Sequence, residues 1–562
     1  MSRPVAILVF AFTLAFLGLF LVWPVVETLR GACIAADGRF TLDYLVEVFR
    51  NPVYVEGLQN SLTMGVASTA LAALLAVPLA LISDRFVFPG KSLLGAAVLV
   101  PMIMPPFVGA IGVRHILGRE GALNALLQDL GLVSHGPDWL GEGRLFGVIL
   151  LNALHLYPIL YLNVVAALAN IDPAMEEAAA NLGCTGLRRF FKITLPLLMP
   201  GLFAGGTIVF IWSFTELGVP LMFDFNRVTS VQIFHGIKEI AGNPFPFALV
   251  VVMLASTLLL YAIGKGLFGN ASHAMMAKAT SQGGARRPPT PLAWLCTILF
   301  AGVCLLAVLP HLGVVLVAFS SDWYRSVLPT GWTLEHFEAA LGHNLTLPSI
   351  RNSLRYAALA TLVDLVLGVA IAYVVVRTKI AGRGFLDALA MMPLAVPGLV
   401  LAFGYLAMTQ EGRIFSFLSP SIDPLWILVI AYSVRRLPYV VRSAVAGLQQ
   451  TSETLEEAAR NLGCPPLRTL RRVTLPLIAA NIVAGGLLAF SFAMLEVSDS
   501  LVLAQRQRDF PVTKAIYELY QLLGEGKFIA SALGVWAMAF LAVTLAGASV
   551  VLGKKLGTLF RG

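Results

Sequence analysis

Apolar residues fall into long blocks along this chain, and short polar segments separate the blocks. A transmembrane helix needs about 20 predominantly apolar residues to cross the hydrocarbon core of a bilayer. The pattern therefore predicts an all-α polytopic membrane protein with about 12 transmembrane helices. The predicted spans lie near residues 5–27, 61–83, 92–113, 145–168, 199–222, 246–268, 291–319, 353–376, 385–408, 425–448, 479–504 and 528–552.

A duplicated segment indicates that the chain consists of two related halves. The first copy reads EEAAANLGC at 176–184, and the second reads EEAARNLGC at 456–464. Both copies continue into a Thr-Leu-Pro-Leu sequence, at 194–197 and 474–477. Six predicted spans return each half to the side on which it started, so we expect two parallel repeats.

The predicted domain organisation is a first transmembrane half at 1–268, a cytoplasmic linker at 269–290 and a second transmembrane half at 291–562. The linker holds Ser-Gln-Gly-Gly and Arg-Arg-Pro-Pro sequences, which are typical of a flexible connection. The duplicated segments lie 280 residues apart, whereas matching Asn-Ser-Leu sequences upstream lie 292 apart. The first half therefore has 12 extra residues, around 115–140, which predict a longer external loop.

The composition excludes an ordinary soluble enzyme. Hydrophobic residues make up 58% of the chain, charged residues 12%, and the mean hydropathy is +0.83. Soluble proteins carry about 25% charged residues. The net charge of +8 is spread over short loops and forms no continuous basic face, so we expect no nucleic-acid partner. The five cysteines include no CxxC pair and no spacing typical of a metal site.

Local signals predict a short helix in each copy of the duplicated segment. Asp172 and Ser452 stand at N-cap positions, and the glutamates that follow lie near the positive end of the helix dipole. Gly183 and Gly463 are placed to end the helices in a positive-φ conformation. A short helix with a small alanine face suits docking into a groove on another protein.

The pattern Glu-Glu-Ala-Ala-x-Asn-Leu-Gly, followed by Leu-Pro, resembles that of the inner-membrane permeases of binding-protein-dependent ABC importers. The resemblance covers essentially the whole chain, twice, and implies the type I ABC importer permease fold. It also implies that each copy is a coupling helix that fits a cleft in the nucleotide-binding subunit. The implied coupling residues are Glu176, Glu177, Ala178, Ala179, Gly183, Glu456, Glu457, Ala458, Ala459 and Gly463. The alternative is a pair of amphipathic interfacial helices without a partner.

The same resemblance implies the partners and the location. The partners are two copies of an ABC ATPase, a periplasmic or extracellular substrate-binding protein, and membrane lipid. The location is the inner (cytoplasmic) membrane, multi-pass, with both termini cytoplasmic. Gly90-Lys91-Ser92 mimics the end of a phosphate loop, but Arg85 stands where that motif requires glycine. We therefore expect a non-enzymatic chain without a cofactor or metal of its own, with ATP bound by the partner ATPase.

Ionisable residues inside predicted spans are costly in a bilayer and are candidates for the translocation path. Glu216 and Glu496 are repeat partners late in the fifth span of each half. They either line the path or hydrogen-bond to backbone at the outer interface. Arg435 and Arg436 lie mid-span, where the first half has His155. The arginines either attract an anionic substrate or pair with Glu496, or they form a structural ion pair or snorkel to the interface.

Prolines in the third span of each half predict that both spans are kinked or broken, because proline removes a helical hydrogen bond. They are Pro101, Pro105 and Pro106 in the first half and Pro393 and Pro397 in the second. Broken helices line the path in many transporters, and ordinary packing kinks are the alternative.

The stretch Tyr-Ser-Val-Arg-Arg-Leu-Pro-Tyr-Val-Val-Arg-Ser at 432–443 is most similar to the fused permeases of the ferric-iron group. That resemblance implies ferric iron as the substrate. Importers of phosphonates, sugar phosphates or thiamine are alternatives within the family. A secondary transporter also shows internal repeats and charges within spans, but it has no use for two ATPase-docking loops.

Overall fold

The computed structural model describes residues 3–35, 37–141, 144–240, 242–268 and 286–552. These residues are almost entirely helical, as expected from the apolar blocks. A single β ribbon occurs among them, in which Ser320–Asp322 pairs antiparallel with Gly331–Trp332.

Within the described residues, eight continuous helices and three bent helix pairs are long and apolar enough to cross a membrane. The continuous helices are Pro4–Cys33, Pro52–Arg85, Leu145–Leu168, Gly186–Phe214, Phe245–Gly266, Thr290–Phe319, Thr346–Arg377 and Gly526–Gly547. The bent pairs are Lys91–Met102 with Pro106–Asp129, Arg383–Leu394 with Gly398–Met408, and Pro466–Leu477 with Ala479–Met494. Leu425–Gln450 is also long enough to cross, although it carries three arginines. With this helix included, the structure supplies a helix for every predicted span.

Shorter elements connect these helices. The short helices are Asp43–Arg50, Ala122–Asp129, Pro173–Asn181, Gly218–Met222, Thr229–Gly236, Glu335–Gly342, Glu453–Asn461, Ser498–Leu503 and Val512–Tyr520, with 3₁₀ turns at Ile237–Glu239, Met392–Leu394, Ser416–Leu418 and Gln507–Asp509 and π-helical turns at Gly18–Val22, Phe190–Thr194 and Leu470–Thr474. The extra segment around 115–140 is more ordered than its polar sequence predicts. Asn124 lies in its helix, donates to the carbonyl of Pro137 and accepts from the indole of Trp139.

The third span of each half is broken, as its prolines predict. The two arms meet at 97° in the first half and 102° in the second. At the first break, Met104 and Pro105 both adopt extended backbone conformations before the helix resumes at Pro106. Proline lacks the N–H that would continue the helix and disfavours helical geometry at the preceding residue. The break therefore follows directly from the sequence.

The fifth span of each half ends earlier than the apolar blocks predict. The predictions were 199–222 and 479–504, but the long helices stop at Phe214 and Met494. A short helix then follows each stop, at Gly218–Met222 and Ser498–Leu503. Hydropathy could not reveal this interruption, because the residues on both sides of it are equally apolar.

Most of the predicted linker, residues 269–285, lies outside the described residues. The structure describes its final part, which pairs with the end of the second span of the first half. The N–H of Arg286 donates to the carbonyl of Arg85 at 2.9 Å, and the N–H of Val87 donates to the carbonyl of Arg286 at 3.0 Å. The first helix of the second half then begins at Thr290.

The described residues form two compact units that cut across the two sequence halves. One unit contains residues 3–54, 232–254 and 335–552, and the other contains 55–231 and 286–334 with 255–268. Each unit therefore combines the first span of one half with the second to fifth spans of the other. The halves 1–268 and 291–562 describe the duplication of the sequence, and the units describe its packing.

A close glycine contact holds the exchanged first span in each unit. A Cβ on Gly404 would overlap the carbonyl of Pro24, and a Cβ on Gly112 would overlap the carbonyl of Pro310. The prolines lie at equivalent points of the two first spans, and the glycines lie in the second arm of the two broken third spans. The first span therefore packs in the same way in both units, and this packing requires glycine because any other residue would bring a Cβ into the carbonyl.

Candidate functional site

Each copy of the duplicated segment folds into a nine-residue helix, as its capping signals predict. The helices are Pro173–Asn181 and Glu453–Asn461. The Asp172 carboxylate accepts the backbone N–H two residues on at 2.9 Å, and the Ser452 hydroxyl accepts its equivalent at 3.2 Å. These side chains satisfy helix-terminal donors that would otherwise lack a partner.

The predicted glycines end both helices. Gly183 and Gly463 both have φ of +80°. The N–H groups of Cys184 and Cys464 reach back to the carbonyls five residues earlier, at 2.9 and 3.0 Å. This pattern is the Schellman motif, which fixes where the chain leaves the helix. Residues 172–184 and 452–464 are called the coupling loops below.

The two glutamates of each coupling loop face in different directions. A helix places residues three apart on one side, so the first glutamate and the second alanine point toward the rest of the unit. The second glutamate and the first alanine are exposed. The inward-facing residues are Glu176, Ala179, Glu456 and Ala459, and the exposed residues are Glu177, Ala178, Glu457 and Ala458. Only part of the predicted coupling surface is therefore open to a partner.

In the first half, Glu176 is held by the end of the second span. Arg85, the last residue of Pro52–Arg85, places Nη2 at 2.6 Å from Glu176 Oε1. The buried hydroxyl of Thr194 donates to the same oxygen at 2.5 Å. Arg85 Nη2 also lies 3.4 Å from that hydroxyl.

In the second half, Glu456 is held at the equivalent position by two donors, one on each of its carboxylate oxygens. Arg377 ends the helix Thr346–Arg377, and its Nε donates to Glu456 Oε1 at 3.2 Å. The Tyr373 hydroxyl donates to the other carboxylate oxygen at 3.1 Å. Both the Arg377 and Glu456 side chains are almost fully buried, at 6% and 5% exposure.

Exposed leucines flank both helices, and sequence reasoning missed them. Leu182 and Leu462 are 88% and 89% exposed, and Leu187 and Leu467 are 77% and 78% exposed. Large apolar side chains exposed at matching points of a repeat mark an interaction surface. The available signal was the repetition of Asn-Leu-Gly and Leu-Arg in the two copies.

A cluster of charges, most of them buried, lies among the third, fourth and fifth spans of the second half. Arg435 Nη1 lies 2.9 Å from Glu496 Oε1, and Arg436 pairs with the other carboxylate oxygen of Glu496. Arg435 Nη1 also lies 3.7 Å from Asp499. The guanidinium of Arg435 packs against Gly398, at the break in the third span, where a Cβ would overlap it. The two arginines thus connect the fourth span to the breaks in the third and fifth spans.

Two aspartates make this cluster rich in carboxylates. Asp364 and Asp499 are both buried; Asp364 Oδ1 accepts a hydrogen bond from Ser433 at 2.7 Å. Both carboxylate oxygens of Asp499, and Oδ2 of Asp364, have no hydrogen-bond partner among the described residues. Buried carboxylates without donors are costly, so they are unusual outside functional sites. Sequence reasoning did not single out Asp499, although it lies inside the predicted span 479–504.

The first half lacks this cluster. His155, at the position of Arg435, places Nδ1 at 2.8 Å from the carbonyl of Pro101, beside the break in the third span. Glu216, at the position of Glu496, accepts the N–H groups of Gly218 and Val219 at 3.0 and 3.2 Å. It therefore caps the short helix that follows. In both halves, a fourth-span side chain contacts the break in the third span: His155 in the first half and Arg435 in the second. Ion pairs to Glu496 accompany this contact in the second half.

No group of three or more His, Cys, Asp or Glu side chains in the described part of the chain could hold a metal ion. The architecture and the site define the class: a polytopic helical permease with two repeated coupling loops. The family model for the binding-protein-dependent transport system inner membrane component matches residues 72–275 and 364–552, once in each half. The chain therefore belongs to this family, and it is the inner-membrane permease of an ABC importer.

Two relatives that match most of this chain are named as ferric transport permeases. The ferric transport system permease protein FbpB of Actinobacillus pleuropneumoniae is 28% identical over 81% of this chain and 64% of its own length. A Haemophilus influenzae protein named "Putative ferric transport system permease protein FbpB 1" is 28% identical over 82% of this chain and 70% of its own length. This chain thus spans about two thirds of the length of these relatives.

A shorter relative matches about half of this chain. The Salmonella paratyphi A protein named "Putative 2-aminoethylphosphonate transport system permease protein PhnU" is 28% identical over 48% of this chain and 89% of its own length. Most of this relative therefore corresponds to about half of this chain, in agreement with the internal duplication.

Proposed function

We propose that this chain conducts ferric iron, delivered by an external binding protein, and that two copies of a separate ATPase drive it through the coupling loops. The observation that carries the proposal is the pair of capped helices with matching exposed leucines. The proposed orientation places these loops, and both termini, in the cytoplasm. ATP binding and hydrolysis belong to the partner, and this chain has no catalytic residues or cofactor of its own.

The exposed side of each coupling loop supports docking to the ATPase. Glu177 and Glu457 supply a carboxylate near the positive end of a short helix, next to the small side chains of Ala178 and Ala458. The leucines at 182, 187, 462 and 467 add an apolar rim. A compact helix with a small centre and an apolar rim fits a groove on a folded partner.

The buried charge cluster is proposed as a gate on the translocation path. Glu496, Arg435 and Arg436 join three spans of one unit, two of which are broken at the contact. A buried ion network has a small number of discrete arrangements, so it suits a two-state element. Glu216 and His155 are proposed as the corresponding, less charged positions of the first half.

The proposed mechanism is alternating access. Closure of the ATPase dimer around ATP moves the two coupling loops, and the permease shifts between two states that ATP binding biases. The ferric substrate is supported by the names of the two long relatives. A phosphonate is the second candidate, supported by the name of the Salmonella relative; sugar phosphates and thiamine stay alternatives from the sequence.

Uptake by proteoliposomes tests this proposal. Vesicles would contain this chain with the ATPase encoded beside it, and the binding protein would be loaded with radioactive ferric iron or with labelled 2-aminoethylphosphonate. We expect ferric uptake that requires the binding protein, the ATPase, and ATP on the side of the membrane where the ATPase is bound. Uptake of the phosphonate alone would replace the substrate, and uptake without ATP would indicate a secondary transporter.

A further inference from the structure

The first glutamate of each coupling loop is fixed by the permease itself. In the second half, Arg377 uses all of its nitrogen atoms: Nε binds Glu456, Nη1 lies 3.4 Å from Glu453, and Nη2 donates to the carbonyls of Leu448 and Thr451, both at 2.9 Å. Leu448 and Thr451 close the fourth span Leu425–Gln450. One side chain thus joins the ends of two spans to the coupling helix.

Burial makes this joint stiff. The side chains of Arg377 and Glu456 are 6% and 5% exposed, so water cannot readily replace either partner. Separating them would leave a buried charge without its counter-charge. The planar guanidinium also fixes the direction of each hydrogen bond, which a lysine could not do. A displacement of the coupling helix is therefore transmitted to the ends of the second and fourth spans.

The first half holds the equivalent glutamate with different donors, and the Arg85 and Glu176 side chains are more exposed, at 31% and 21%. Arg85 replaces Arg377, and the third participant is the Thr194 hydroxyl, whereas Leu81 stands at the repeat position of Tyr373. In the second half the tyrosine is the donor and the threonine is not. Tyr373 donates to Glu456, whereas the hydroxyl of Thr474, at the repeat position of Thr194, has no hydrogen-bond partner among the described residues. The anchored glutamate is thus retained although its donors changed.

We propose that Arg85 and Arg377 are positioning residues that carry the motion of the coupling helices to the second spans, with Arg377 carrying the larger share. This inference rests on the proposed function, in which the ATPase docks on the exposed side of the same loops. Glu176 and Glu456 then belong to the transmission within the permease, and Glu177 and Glu457 belong to the contact with the partner.

The test separates ATPase binding from coupling. Arg377→Ala, Arg85→Ala and Glu456→Gln are reconstituted with the ATPase and binding protein, and both ATPase affinity and substrate imported per ATP hydrolysed are measured. We expect Arg377→Ala to keep ATPase affinity within about twofold and to lower import per ATP about tenfold, with a drop of about threefold for Arg85→Ala. Lys379→Ala, which removes an exposed cation two residues from Arg377, is the control and should match the wild type.

Two outcomes overturn the proposal: import per ATP by Arg377→Ala equal to that of Lys379→Ala, or a loss of ATPase affinity by Glu456→Gln as large as that of Leu462→Glu. The second would place Glu456 in the partner interface. If Arg377→Ala does not assemble, Tyr373→Phe and Arg377→Lys are measured in its place. We expect each to lower import per ATP about twofold, and the proposal is rejected if both match the wild type. A wild-type chain that binds no ATPase would instead contradict the proposed function.

Discussion

The two halves are nearly the same at their coupling loops and different in the middle of their spans. Both loops have a side-chain N-cap, a terminating glycine and an inward-facing glutamate that is held by an arginine. The two arginines, Arg85 and Arg377, occupy repeat positions 292 residues apart. In the spans, the Arg435–Arg436–Glu496 cluster has no counterpart in the first half, where the repeat positions hold His155, Leu156 and Glu216.

This contrast indicates that the coupling loops and the middle of the spans are constrained by different binding partners. Both loops are proposed to meet the same kind of ATPase, so both must present the same surface. The middle of the spans is proposed to meet the substrate and not the ATPase, so nothing requires the two halves to remain alike there. The ion pairs of Arg435 and Arg436 with Glu496 also lie within one unit, so they could arise in one half without a change in the other.

The largest effect is expected when Glu496 is neutralised. Glu496→Gln removes the counter-charge of the buried Arg436 and of Arg435, which is 19% exposed, and breaking a buried pair costs about 3–5 kcal/mol. Glu216→Gln is the matched control, because an amide oxygen can still cap the short helix, and it should cost less than about 1 kcal/mol. Thermal unfolding of both variants in detergent measures the difference. Equal stabilities would show that the charge of Glu496 is not needed to stabilise the two arginines.

The next test converts the second half toward the first. Arg435→His with Arg436→Leu leaves Glu496 and Asp499 without their cations, and adding Asp499→Val installs the first-half residue and removes one of the two carboxylates. The triple variant should regain about 1–3 kcal/mol over the double variant, since an unsatisfied buried group is lost.

Uptake by the triple variant decides what the charges do. We expect it to fold and to import substrate more slowly than the wild type, because the proposed gate has lost its ion pairs. Import at the wild-type rate by a stable triple variant would make the asymmetry of the halves irrelevant to transport.

A smaller effect is expected at the exposed leucines, where the halves agree. Leu462→Glu and Leu182→Glu should each weaken ATPase binding about tenfold, since an apolar anchor is worth more than 1 kcal/mol in an interface. Leu523→Glu, at a leucine that is 99% exposed outside both loops, is the control. Affinity is measured by titrating labelled ATPase onto the purified permease. Unequal losses at 462 and 182 would show that the two loops are not equivalent docking sites.

The smallest effect distinguishes the two glutamate anchors. Thr194→Val removes a hydroxyl that donates to Glu176 and should cost about 1 kcal/mol. Thr474→Val removes a hydroxyl with no partner in the described structure and should be neutral or stabilising. Thermal unfolding measures both, and an equal cost for the two variants would argue against the exchange of donors between the halves.

Much of the site could be predicted because it depends on local signals. The coupling helices, with their caps at Asp172 and Ser452 and their glycines at 183 and 463, involve residues within about ten positions of one another. The broken third spans follow from proline chemistry in the same way. Apolar blocks counted the spans correctly, but they ran past the interruptions at Glu216 and Glu496, because hydropathy is insensitive to a break between apolar helices.

The sequence by itself determined the number of spans, the duplication, the family and the form of the coupling loops, because each depends on residue type at short range or on repetition. Only the tertiary structure decided that Glu176 and Glu456 face arginines 91 and 79 residues away. Packing also placed each first span in the unit of the other half and brought Asp364 and Asp499 into the arginine cluster. These contacts are non-local: they depend on which helices lie side by side, and that choice is made by close fits such as Gly404 on Pro24.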